Sequence, residues 1–290
     1  MPFSNPLLGI IPLGKYNLRV AESYTLPNKQ RLGILIATIL LAFVIARFVR
    51  LPAIPISLGF LGVLLSFEIN INTFIAVIVA GLTASGTDWL IRDHPRLTQH
   101  PTGKHWVLPG LTAWVISFPL SFLTDNSLWW AGFLVAGVVL IVLIVSEYIA
   151  ADPDDIRHPI ASVGLIALSF MLFLIFVVSL RSIGLRLIFI LPAVGFSTGL
   201  VSLRAINLRL QAGWLVPETV VIALIAMQIS AALHYLPISP ISYGLILLGL
   251  VYALITFIVN YAQAALMRIA IIESVYILGL VWSLAFFLRA

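Results

Sequence analysis

From residue 32 to the C-terminus, apolar runs alternate with short polar breaks. A helix needs about 20 apolar residues to cross the hydrocarbon of a bilayer, so each run predicts one membrane helix. Ten segments satisfy this reading: 32–50, 52–69, 71–91, 105–123, 127–149, 159–180, 186–204, 214–235, 239–262 and 266–288. The runs are continuous, as in FLVAGVVLIVLIV at 133–145. Strands of a membrane barrel would instead alternate polar and apolar residues over about ten positions. The expected fold class is an all-α polytopic integral membrane protein, with a polar N-terminal tail at 1–31 and one helical bundle at 32–290. The second segment is the weakest. It carries Pro52, Pro55 and two glycines before Glu68, so the expectation is ten spans, or nine plus a re-entrant or interfacial helix at 51–69.

The breaks have their own chemistry. Trp106, Trp129, Trp130 and Trp214 stand where segments begin, and Trp89, Tyr148 and Tyr235 where they end. Indole and phenol rings favour the headgroup level, since one edge is apolar and the other wet. Pro109, Pro159, Pro217 and Pro240 fall near predicted helix starts, where a missing N–H costs no intrahelical bond. Pro192 lies deeper. The apolar part of the N-terminal stretch, PLLGIIPLG, is broken by two prolines and two glycines, and no removable leader is expected there.

One pattern occurs twice: LPAIPISLG at 51–59 and LPISPISYG at 236–244, followed by NTFIAV at 72–77 and ITFIVN at 255–260. Two readings compete. The copies are either relics of an internal duplication, which ten spans would place on opposite sides as an inverted repeat, or two uses of the same helix-start punctuation. The offsets differ by two residues between the two matches, which favours punctuation.

Composition sharpens the membrane reading. Of 290 residues, 61% are hydrophobic and 9% charged, against about 25% charged in soluble domains. Cysteine is absent, which removes disulfides, thiolate metal sites and a cysteine nucleophile. The net charge of +5 then reads as an orientation signal, not as a nucleic-acid surface. The partners expected are membrane lipids and membrane-protein subunits, with no nucleic acid.

Orientation follows from lysine and arginine. The loops after segments 3, 5, 7 and 9 carry Arg92, Arg96, Lys104, Arg157, Arg204, Arg209 and Arg268, whereas those after segments 4, 6 and 8 carry only Arg181 and Arg186. The richer set is expected on the cytoplasmic side and the C-terminus outside, in the cytoplasmic membrane of a bacterium or archaeon. The N-terminal side depends on segment 2. Ten spans give nine basic residues inside against seven outside; nine spans give eleven against five.

Candidate chemistry gathers in two stretches. TDWLIRDHPRLTQHPTGKHW at 87–106 and SEYIAADPDDIRHP at 146–159 must share one side, and hold four of the five histidines and six of the eleven acids. Asp88 and Arg92 are spaced to pair on one helix face. Asp88, His94, His105, Asp155 and His158 are the catalytic candidates, because imidazole and carboxylate together can hold a divalent metal or act as acid and base on a lipid headgroup. Glu147 and Glu273 are the candidates for substrate or ion binding, since a carboxylate inside a membrane segment is costly without a purpose. No retinal site is expected, because the only lysines, Lys15, Lys29 and Lys104, lie outside the apolar segments. No ATP site is expected either, because no Walker A sequence occurs. The functional expectation is transporter-like architecture first, a lipid-modifying enzyme built on the histidine and aspartate loops second, and a non-catalytic scaffold or complex subunit third.

Overall fold

The computed structural model describes residues 26–48, 54–60, 63–69, 71–92, 94, 103–211 and 214–288, without the side chains of 54–60, 63–69, 71–73 and 103–104. Among these, nine helices and one two-stranded hairpin follow in order: α1 Lys29–Phe48, β1 Ile54–Phe60, β2 Val63–Ile69, α2 Ile71–Arg92, α3 Gly103–Phe122, α4 Asn126–Ala150, α5 His158–Ile183, α6 Leu187–Leu210, α7 Val216–His234, α8 Pro240–Ala262 and α9 Met267–Phe287. Eight of the helices are long and apolar enough to cross a membrane. The protein is therefore a polytopic membrane protein with eight candidate spans, and the expectation of ten is corrected at two places.

The first is segment 2, which forms an antiparallel hairpin instead of a helix. The register explains why. Ile54 faces Ile69, Ile56 faces Phe67, Leu58 faces Leu65 and Phe60 faces Val63, while Ser57 faces Ser66 and Pro55 faces Glu68. Along both strands apolar residues thus alternate with Pro55, Ser57, Gly59, Ser66 and Glu68, Leu64 excepted, a period of two that suits strands and not a helix. Pro55 also denies a helix one of its N–H donors. Seven-residue strands are shorter than the nine to eleven residues of a membrane strand, and the open edges of a hairpin cannot face hydrocarbon.

The second is α3. It contains Pro109 and Pro119 and falls outside the eight apolar helices. Pro109 sits inside the helix and not at its start. α3 packs against α2, α4, α5 and α6, and Leu108, Leu111, Thr112, Ala113 and Val115 are buried.

Side-chain contacts fix which ends lie together. Arg31, near the start of α1, stands over Trp89 at the end of α2. Arg47, at the end of α1, donates to the Thr124 carbonyl and stands over Trp129 at the start of α4. The hairpin between α1 and α2 therefore sits on the face where α1 ends. We call this the hairpin face, and the opposite one, where α1 begins and α2, α4, α6 and α8 end, the histidine face. The repeated pattern resolves in the same way. Pro55, Ile56 and Ser57 lie in a strand, whereas Pro240, Ile241 and Ser242 form the first turn of α8. Both copies border the hairpin face, so no inverted repeat exists. The second copy is punctuation: Ser239 caps α8 by accepting from the Ser242 N–H at 3.2 Å.

Ends and packing follow local rules. Asp125 caps α4 by accepting from the Ser127 N–H at 2.8 Å. Gly184, with φ of 70°, closes α5 in the left-handed conformation that glycine adopts freely. Several buried hydroxyls are satisfied within their own helices: Thr83 donates to the Val79 carbonyl, Thr112 to Leu108 and Ser169 to Leu165. Glycines let helices approach, the usual device where lipid supplies no hydrophobic drive between helices. A Cβ at Gly244 would meet Val178 of α5 at 2.7 Å, and one at Gly249 would meet Val281 of α9 at 2.9 Å.

Candidate functional site

Glu147 lies near the end of α4 and is fully buried. An isolated carboxylate there would neutralise itself or draw in a partner. Two partners meet it. Arg204 of α6 donates from Nε to Glu147 Oε1 at 3.0 Å and from Nη2 to Oε2. His105, in the first turn of α3, places Nδ1 3.0 Å from Oε2. A carboxylate bound to arginine accepts only, so a proton on His105 Nδ1 would make this contact a hydrogen bond; Arg204 Nη2 also lies 3.3 Å from the same nitrogen. Arg204 Nη1 donates in turn to Asn207 Oδ1 at 3.1 Å. Arg204 and His105 are nearly as buried as Glu147. Three helices are therefore tied at the histidine face by one ion cluster, beside a cavity of about 10 Å³ lined by Val107, Leu203, Arg204, Asn207 and Trp214, about the space of one water.

The other candidates on this face are arranged in smaller units. Asp88 pairs with Arg92 at 2.8 Å, as their spacing predicts. His94 is buried with its ring 4.8 Å from that of Tyr148. Asp155 binds Arg157 through both carboxylate oxygens and accepts from the Arg157 N–H at 2.8 Å. The Arg157 side-chain hydrogen bond holds the Asp155 carboxyl below the usual aspartate value, against the opposing effect of burial. His158 places Nε2 3.3 Å from Ser162 Oγ and 3.2 Å from Gln211 Nε2, while its Nδ1 is buried without a partner among the described residues. His100 lies outside the described residues. The described residues hold no group of three or more histidine, aspartate or glutamate side chains arranged for a metal. The two stretches share a face as expected and meet at His105–Glu147 and His94–Tyr148, while Asp88 and Asp155 turn to arginines of their own stretch.

Glu273 has a different setting. It is exposed on the outer surface of α9, where it accepts from Asn260 Nδ2 of α8 at 2.8 Å. The transporter-like expectation places this carboxylate on a central cavity; the structure places it on the lateral surface.

The sequence profile of one family matches residues 51–288, most of the chain and all of it from the hairpin through α9. The chain belongs to this family, described as a protein of unknown function, DUF5656. No curated protein and no solved structure matches it. The DUF5656 region contains His105, Glu147, Arg204 and Glu273, and begins after α1.

Sequence reasoning missed Arg204 and Asn207. The expected segment 7 ends at residue 204 with Arg204 among the loop charges, whereas α6 runs on to Leu210. The signal was Glu147. A carboxylate inside an apolar helix requires a cation, and the apolar residues Leu203, Ile206, Leu208 and Leu210 continue the helix past Arg204. Arg209 was missed for the same reason.

Proposed function

We propose that this DUF5656 chain works as a membrane scaffold, a complex subunit that meets a second copy of itself through α9. The observation behind this reading is the Asn260–Glu273 pair on the lipid-facing surface. Glu273 lies six residues into α9, about 9 Å along the helix from its start. A carboxylate exposed there costs several kcal/mol in lipid, and a second helix laid over it removes that cost. Asn260 has two N–H donors and spends one on its own Glu273. The second fits Glu273 of another copy, and two-fold symmetry repeats the contact in reverse. α9 is also the least enclosed of the eight candidate spans and packs mainly on α8. The charges inside the bundle, by contrast, are directed at each other: Glu147, Arg204 and His105 tie α3, α4 and α6 into one unit.

In the same reading the histidine face is cytoplasmic. The hairpin does not cross and α3 passes from one face to the other inside the bundle, so the N-terminal basic residues join that side, and the nine-crossing bias of eleven against five applies.

The chain has no cysteine, so single substitutions report cleanly. Tyr276→Cys, on the exposed surface of α9, is expected to give a disulfide-linked dimer on oxidation in native membranes. Val138→Cys, on the exposed surface of α4 and away from that contact, is expected to give no disulfide-linked dimer. Adding Glu273→Leu to the Tyr276→Cys chain should reduce the dimer yield. No adduct at Tyr276→Cys sinks the proposal. An adduct of another mass keeps the subunit role and overturns the second copy.

A further inference from the structure

A groove of about 590 Å³ opens between α5, α8 and α9, lined by Val163, Ile166, Phe170, Leu248, Tyr252 and Val281, with Arg209 at one end. Its volume is in the range of lipid- and drug-sized sites. The lining is apolar except for that arginine and the Tyr252 hydroxyl.

Arg209 is the penultimate residue of α6, at the histidine face. An arginine at a helix end ordinarily extends outward to water. Arg209 turns the other way. Its Nη1 donates to Thr256 Oγ1 at 3.1 Å and its Cζ stands 5.0 Å from the centre of the Tyr252 ring. Thr256 and Tyr252 lie six and ten residues before the end of α8, about 9 and 15 Å inward along the helix. Among the described residues no carboxylate pairs with Arg209. The guanidinium has five N–H donors and cannot deprotonate, so it stands charged at the head of an apolar groove with most of its donors unspent. A second apolar groove provides the contrast. It lies at the hairpin face between α7, α8 and α9, lined by Ile229, Ala232, Leu233, Ile246, Trp282 and Phe286, and has no cationic residue in its lining.

We propose that the groove headed by Arg209 binds an anionic glycerophospholipid, with the phosphate on the Arg209 guanidinium and one acyl chain along Val163, Ile166, Phe170 and Val281. Phosphate matches the planar donor fork of arginine. The depth of the guanidinium suits a headgroup drawn slightly inward, with the chain running toward the bilayer centre. Tyr252 holds the guanidinium from one side by its ring face and leaves the other side to the lipid.

Native mass spectrometry of the whole chain tests this, using dioleoyl phosphatidylglycerol and dioleoyl phosphatidylcholine as probes. The unaltered chain should retain phosphatidylglycerol over phosphatidylcholine. Arg209→Met should lower phosphatidylglycerol retention about tenfold or more, and Arg209→Lys by less. Ala167→Trp, which fills the groove and keeps the arginine, should lower retention of both lipids; it also decides the matter if Arg209→Met fails to fold. Ala232→Trp in the opposite groove should change neither. Inorganic phosphate at millimolar concentration should not displace the lipid. Equal retention by Arg209→Met and the unaltered chain, unchanged retention by Ala167→Trp, or displacement by inorganic phosphate would each overturn the proposal.

Discussion

Glu147 stays buried because Arg204 and His105 reach it from two other helices. The pairing decides how its removal should act. Arg204→Met leaves a buried carboxylate uncompensated and should cost about 3–5 kcal/mol, read as a lower midpoint of thermal unfolding in detergent. The double variant Glu147→Gln with Arg204→Met removes both charges and should recover part of that loss. If the double variant is as unstable as the sum of the two singles, the pair is not coupled as drawn. Asp155 makes a prediction in pH. Its native pKa is held below the ordinary 3.8 by Arg157, so the unfolded chain takes up the proton first as pH falls. The stabilisation is complete above the ordinary value and is lost as pH drops through the lowered native one. Asp155→Asn should flatten the fall in thermal stability below about pH 4 and leave the rest of the profile in place.

At the scale of elements, helix contacts rest on small residues at a few positions. Gly244 of α8 lies against Leu174 and Val178 of α5. Gly244→Leu should destabilise the bundle by about 1–3 kcal/mol through overpacking, measured by thermal unfolding. Gly164→Leu, where nothing lies within 4 Å, should be tolerated within about 0.5 kcal/mol. Equal effects at both glycines would mean that the α5–α8 approach is looser than described. The hairpin shows how far a run of apolar residues can mislead. Residues 54–69 are apolar enough to suggest a helix, yet their alternation pairs apolar with apolar and serine with serine across two strands. Period, and not total hydrophobicity, separates the two readings. The period was visible in the sequence; the strand partner that makes it meaningful was not.

At the scale of the molecule, the contacts define two faces, and labelling can test them. With one cysteine introduced at a time, Gln30→Cys and Gln263→Cys should react with a membrane-impermeant maleimide from one side. Ser57→Cys and Tyr235→Cys should react from the other. Labelling of Ser57→Cys together with Gln30→Cys would show that the hairpin is on the wrong face. The candidate site was legible only in part. That the 87–106 and 146–159 stretches share a face could be read from counting segments. That His105 meets Glu147, and that Asp155 turns to its own Arg157, could not, because spacing along a loop does not set the direction of a side chain.

The sequence by itself determined the solvent, the helical class and the approximate bounds of eight candidate spans, because burial of about twenty apolar residues is a local requirement that each segment meets alone. Only the tertiary structure decided the hairpin, the shielding of α3, the Arg204–Glu147–His105 cluster and the surface position of Glu273. Each of these depends on what stands beside a residue in space: a strand needs its partner, a shielded helix needs neighbours between it and lipid, and a buried charge needs its counter-charge from another helix.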